Sequence, residues 1–163
     1  MSSLALIAIA IGNSRTHVAL FRGGDIEDVS HIENADQATI VDTVLANWKT
    51  ANDSDRRAIA VSSVNDEVAS KLCSLIEDQV GEEAYRVGED LPVPINLALD
   101  PEATPGMDRL LNAAAAWKTL KQACVVVDAG TCVTVDFVDG EGTFHGGVIA
   151  PGLQMQLDAM YEG

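Results

Sequence analysis

One pattern constrains this chain more than any other, and it occurs twice. Leu4–Ile11 is an unbroken apolar run, closed by the turn residues Gly12-Asn13 and the hydroxyl of Ser14. Val126-Val127 runs in the same way into Asp128-Ala129-Gly130-Thr131. A continuous apolar run of the first kind reads as a strand covered on both faces. A second strand pattern follows each turn, at residues 16–21 and 131–138. A strand, a small-residue turn and a second strand, used twice, point to two lobes facing each other across a cleft.

The intervening stretches fit that plan. Residues 26–32 read as a third strand, which completes an opening meander. Asn34 or Asp36 is placed to cap a helix reaching about Lys49, with Ile40, Val41, Val44, Leu45 and Trp48 on one face. Residues 58–64 read as a buried strand ending in Ser62-Ser63. Asn65 then caps a helix carrying Val68, Leu72, Leu75 and Ile76. Residues 81–106 hold Pro92, Pro94, Pro101 and Pro105, the pattern of a short strand near Tyr85 and then a crossing loop. An Ala-rich helix is expected over residues 107–121, carrying Trp117 as packing. After the strand at residues 124–127 and the turn 128–130, Asp139-Gly140-Glu141-Gly142 reads as a hairpin turn. Residues 143–150 return as a strand, and a helix is expected after Pro151-Gly152. The predicted class is α/β, with a first lobe and connecting loop over 1–105 and a helix plus the start of a second lobe over 106–163.

Charge excludes some functions. The formal net charge of −15 disfavours nucleic acid and anionic lipid as partners. A nucleotide site in such a chain must gather cations or backbone N–H groups locally. Three cysteines, Cys73, Cys124 and Cys132, have neither disulfide nor zinc spacing. Cys124 and Cys132 lie in apolar runs and are expected as buried thiols, which suits a reducing compartment. The opening lacks a basic leader region, and no apolar run is long enough to cross a bilayer. The cytoplasm is therefore the expected location.

Four segments carry candidate chemistry, each with a plainer structural alternative. Gly12-Asn13-Ser14-Arg15 is either a hairpin turn or a loop whose N–H groups, hydroxyl and guanidinium cradle phosphate. Asp128-Ala129-Gly130-Thr131 is either a local turn or a carboxylate for a hard cation beside a phosphate-binding hydroxyl. In Gly106-Met107-Asp108-Arg109, the acid either serves the helix dipole or acts as a general base beside an anion clamp. Gly146-Gly147 marks a bulge or a close backbone approach, and Gly152 precedes the last helix. His17, His31 and His145 share no metal-like spacing and read as strand or loop residues.

In order, these segments are Ile11-Gly12-Asn13-Ser14-Arg15, Ser62-Ser63-Val64, Gly106-Met107-Asp108-Arg109-Leu110, Asn112-Ala113-Ala114-Ala115-Ala116, Asp128-Ala129-Gly130-Thr131, Thr134-Val135-Asp136 and Gly146-Gly147 through Pro151-Gly152-Leu153. The chain resembles the type III pantothenate kinases, of the acetate kinase–sugar kinase–Hsp70–actin superfamily. The resemblance implies two actin-like, ribonuclease H-like lobes with mixed sheets and flanking helices. It implies ATP-dependent phosphorylation of pantothenate, the first step of coenzyme A synthesis, with Mg²⁺ and a monovalent cation (K⁺ or NH₄⁺), by a homodimer. By resemblance, Gly12, Asn13, Ser14 and Arg15 form the first phosphate loop, and Gly130 and Thr131 belong to the second. Gly106, Met107, Asp108 and Arg109 match the pantothenate segment, with Asp108 as proton acceptor. Asp128 matches the monovalent-cation ligand.

Three departures accompany the match. The family pattern has an Asp two residues before the first-loop glycine, where this chain has Ala10. The pattern also continues past the Pro-Gly-Leu segment, so the second lobe is expected to be incomplete. The usual tyrosine before the Gly-x-Asp-Arg segment is absent between Tyr85 and Gly106. The alternative expectation is therefore a family member with impaired chemistry that binds ligands or regulates. A kinase of the same superfamily acting on a sugar or acetate is a third.

Overall fold

The computed structural model describes residues 4–162. It divides into two compact units, Met1–Pro92 and Val93–Gly163.

In the first unit the expected meander forms as β1 (Leu4–Ile11), β2 (Arg15–Arg22) and β3 (Asp25–Glu33). It is followed by α1 (Gln37–Thr50), β4 (Arg56–Ser63), α2 (Asp66–Val80) and β5 (Ala84–Arg86). The sheet order is β3-β2-β1-β4-β5. The meander pairs are antiparallel, and β1/β4 and β4/β5 are parallel. Both helices start at their caps: Asp36 accepts the Thr39 N–H and Asn65 accepts the Val68 N–H. Gly81 ends α2 in the left-handed conformation, which suits a residue with no Cβ.

The core joins Ile7, Ile9, Ile11, Val18, Leu20, Ile59 and Val61 of the sheet to Ile40 and Val44 of α1 and Leu72 and Ile76 of α2. Trp48 packs at its margin. One expectation is corrected here. β1 is buried on one face only: Ala5, Ile7, Ile9 and Ile11 are buried, while Leu6 and Ala8 are half-buried and Ala10 is exposed. Alternating Ala with larger residues hides a period of two inside a run that is apolar throughout.

The second unit contains β6 (Asn96–Leu97), α3 (Met107–Leu120), β7 (Cys124–Ala129), β8 (Cys132–Val138), β9 (Thr143–Pro151) and α4 (Leu153–Glu162). Its sheet order is β6-β9-β8-β7, with β6 parallel to β9 and the other pairs antiparallel. Leu110, Ala113, Val138 and Phe144 form the core, with Trp117, Val126, Val93, Ile95 and Leu99 against it. The last three come from the stretch expected as a crossing loop, which also holds the unexpected strand β6. Cys73 is buried, whereas Cys124 and Cys132 are only partly buried, and all three are free.

The opposite face of this sheet is open and apolar. Val125, Val127 and Val148 are each more than 60% exposed. No residue of α4 is buried. Among the described residues, no helix is long and apolar enough to cross a membrane.

Candidate functional site

In the first unit, Gly12-Asn13-Ser14 is the tight connection from β1 to β2, and Arg15 is the first residue of β2 rather than part of the loop. The Gly12 N–H donates to the Arg15 carbonyl at 2.9 Å. A Cβ on Gly12 would lie 3.1 Å from that oxygen, a tight fit that favours glycine. Asn34 braces the turn from outside. Its Nδ2 donates to the Gly12 carbonyl at 2.8 Å, and its backbone N–H donates to the Ser14 carbonyl at 2.9 Å. Its Oδ1 accepts the hydroxyl of fully buried Thr16 at 2.8 Å. The sequence suggests Asn34 only as a helix cap, and nothing local marks it as a brace. Asn13 and Ser14 are exposed. The Arg15 guanidinium is tied to Glu33 at 2.8 Å, an exposed pair. Ser62-Ser63 ends β4, and Ser63 is used locally, its Oγ exchanging hydrogen bonds with the Asn65 backbone.

In the second unit, Gly106 is the N-cap residue of α3, so Met107, Asp108 and Arg109 form its first turn. Asp108 is exposed, and its Oδ1 accepts the Arg109 backbone N–H at 2.8 Å. Arg109 turns inward. Its Nε reaches Asp136 Oδ2 at 3.0 Å and its Nη2 reaches Oδ1 at 2.5 Å. The Arg109 side chain is 12% exposed and that of Asp136 is 2% exposed. The hydrogen bonds to Asp136 raise the guanidinium's pKa above its ordinary value, despite its burial. Arg109 thus pins the start of α3 to the middle of β8, through a partner that no sequence spacing announces.

Gly147 makes room for this pair. It lies opposite Asp136 where the β8/β9 register shifts, so the expected bulge is present. A Cβ on Gly147 would sit 1.9 Å from the Val135 carbonyl oxygen and 2.7 Å from Asp136 Oδ1. Neither distance is possible for real atoms.

Asp128 and Ala129 lie in β7, paired with Thr134 and Val133, and not in a turn as expected. The turn proper is Gly130-Thr131. The ladder extends further because Val133 and Thr134 offer β-forming partners up to Ala129. Asp128 is exposed, and its Oδ2 accepts from Asn112 Nδ2 at 3.1 Å, which joins α3 to the end of β7. Gly152 packs directly on the turn. Its N–H donates to the Thr131 carbonyl at 3.0 Å, and a Cβ there would lie 2.3 Å from that oxygen. The second unit therefore gathers Asp108, Arg109, Asn112 and Asp128 along α3 and β7, with the Gly130-Thr131 turn at the end of the same strand. At the far hairpin, Asp139 accepts the N–H groups of Glu141 and Thr143 and pairs with His145 at 2.8 Å.

The family model for type III pantothenate kinases matches residues 6–163. The chain belongs to the type III pantothenate kinase family. A type III pantothenate kinase of Rhodospirillum centenum is 34% identical over 96% of this chain and 62% of its own length. That of Syntrophotalea carbinolica is 27% identical over 96% of this chain and 64% of its own. That of Rhodopirellula baltica is 43% identical over a shorter stretch, 64% of this chain and 39% of its own. The chain spans less than two thirds of the length of these relatives. Among solved structures, the Aquifex aeolicus Ppx/GppA phosphatase matches with a TM-score of 0.63 at 13% identity, over 98% of this chain and 55% of that one. The ethanolamine utilization protein EutJ of Carboxydothermus hydrogenoformans matches with a TM-score of 0.50 at 12% identity, over 96% and 56%. These likenesses concern the fold alone, and they agree with the actin-like α/β class expected from the sequence.

Proposed function

We propose that this chain takes part in the ATP-dependent phosphorylation of pantothenate to 4'-phosphopantothenate, the first step of coenzyme A synthesis. The observation that carries the reading is the family match over residues 6–163, together with Asp108 exposed on the first turn of a helix that Arg109 and Asp136 hold in place. Phosphoryl transfer asks for an aligned hydroxyl and neutralised phosphate charge. In this reading, Asp108 takes the proton of the pantothenate hydroxyl as its oxygen bonds to the γ-phosphorus and ADP leaves. Gly106 and Met107 line the substrate segment, and Arg109 orients it through its hold on β8. Gly12, Asn13, Ser14 and Arg15 are assigned to ATP phosphate as a first loop, and Gly130 and Thr131 are assigned to it as a second.

The cations divide into two cases. A monovalent cation such as K⁺ or NH₄⁺ suits the exposed oxygens of Asp128, which would hold it, and the bound ion would supply positive charge for phosphate. A carboxylate-held Mg²⁺ does not fit the first loop. Ala10 is an exposed methyl with no donor atom, so no step is assigned to a protein-held Mg²⁺ there. A homodimer is the proposed assembly, supported by the open apolar face of the second sheet. The cytoplasm is the proposed compartment, supported by the three free thiols.

The test is phosphopantothenate formation, read by mass spectrometry, with ATP, pantothenate, Mg²⁺ and K⁺. Product that falls about a hundredfold or more in Asp108→Asn supports the reading. No product from either the chain or its Ala10→Asp variant overturns it for this chain. A second reading, a ligand-binding protein without chemistry, rests on Ala10. It gains support if turnover is absent while pantothenate or ATP still raises the melting temperature.

A further inference from the structure

His17 and His31 are 14 positions apart in the sequence, but the β2/β3 ladder places them directly opposite each other. The Asn34 N–H bonds to the Ser14 carbonyl. That makes 14/34 a hydrogen-bonded pair, so by alternation 17/31 is a non-hydrogen-bonded pair, the type whose side chains approach most closely. The two Nδ1 atoms are 2.5 Å apart, and the rings meet edge-on with centroids 4.5 Å apart. Both residues are exposed, on the sheet face opposite the core.

We propose that His17 and His31 form a two-histidine site for a borderline divalent transition-metal ion, with Zn²⁺ the reference case. Imidazole nitrogen is the favoured ligand for such ions, and two imidazoles converging through the same ring atom form a chelate. At the Zn–N distances and tetrahedral angle usual for zinc, the two nitrogens would stand about 3.3 Å apart. Small side-chain rotations on an exposed face open the contact by that amount. In the metal-free pair one Nδ1 would have to carry the proton and the other accept it, and a metal ion would take that proton's place. Two lone pairs cannot face each other at this distance without one.

The surroundings favour entry. Ala10 lies next to His17 in the ladder and leaves space with its methyl. Ala19 and Val29, the next pair along the same face, bring no charge. Arg15 and Glu33, the pair on the other side, neutralise each other. Among the described residues, no group of three or more His, Cys, Asp or Glu is arranged to hold a metal. Water therefore fills the remaining positions and keeps them exchangeable. The site lies within the first unit and does not depend on the kinase reading.

Calorimetric titration of the reduced chain with Zn²⁺ tests the site. The expected result is one ion per chain, with affinity lowered at least about tenfold in either His17→Ala or His31→Ala. Losing only a residue that orients a metal ligand already costs about 10–100-fold. His145→Ala, a change at the Asp139 hairpin, should bind as the parent does. Co²⁺ provides a second measurement, because thiolate ligation adds a near-ultraviolet charge-transfer band that histidine ligation lacks. The proposal is overturned by an absence of Zn²⁺ binding, by binding that survives both histidine variants, or by a thiolate band that marks the cysteines as ligands.

Discussion

Arg109 and Asp136 face each other through the guanidinium edge, with Nε and Nη2 both on the carboxylate and both side chains largely withdrawn from water. Such a pair stabilises the fold only while both members are present. Replacing one leaves a buried charge without its partner. Asp136→Asn should therefore destabilise the chain by about 3 kcal/mol. In urea denaturation, the double variant Arg109→Leu, Asp136→Leu should be less destabilised than the two single changes added together.

Gly147→Ala tests the room beside that pair. The added methyl would overlap the Val135 carbonyl and the Asp136 carboxylate, so strand β9 has to shift or Asp136 has to leave Arg109. Overpacking of this kind costs about 1–3 kcal/mol or more. A lower urea midpoint with an unchanged slope is the expected result. A stability equal to that of the parent would show that the β8/β9 bulge yields freely.

Asn34 is the brace of the first turn. In Asn34→Ala the Thr16 hydroxyl, fully buried, loses its acceptor, and the Gly12 carbonyl loses a donor. A buried polar group left unpaired costs about 1–3 kcal/mol. Hydrogen exchange should be fastest to respond at the amides of Gly12 and Asn34.

Acid should weaken the first unit through His17. Its pKa in the fold is lowered below the ordinary 6.5, first by burial and then by His31 and Arg15. The unfolded chain therefore binds that proton more readily than the folded one. The contribution of neutral His17 to stability is fully present above about pH 6.5 and is lost as pH falls through the folded pKa. A His17→Gln variant should show a flatter dependence of the urea midpoint between about pH 7.5 and pH 5. An unchanged slope would assign the acid sensitivity to other groups.

Local chemistry is legible in the sequence wherever a residue acts on its own neighbours. Asp36 and Asn65 cap the helices that they announce, and Asp139-Gly140-Glu141-Gly142 turns the hairpin that its composition demands. Register is harder to read. The burial of β1 on a single face is masked because its other face is apolar too: Ala8 and Ala10 look like core, yet Ala8 is only half-buried and Ala10 is exposed. The turn after β7 comes later than composition suggests, because Asp128 and Ala129 have turn-like character yet pair with Thr134 and Val133. Partners that meet only through folding leave no local mark. Arg109 finds Asp136, Asn112 finds Asp128 and His17 finds His31 across the ladder, and none of these meetings is encoded in spacing.

The chain has two tryptophans, and each unit holds one. Trp48 lies on α1 beneath the Arg57 guanidinium, and Trp117 lies on α3 beneath the Lys121 ammonium, each cation 4.1 Å from a ring. The protein thus carries an intrinsic fluorophore in each half, each with its own cation against the ring. With Trp48→Phe and Trp117→Phe in hand, the emission of each half can be followed separately during unfolding. Coincident curves would mean one cooperative molecule, and separated curves would mean two halves that melt on their own terms.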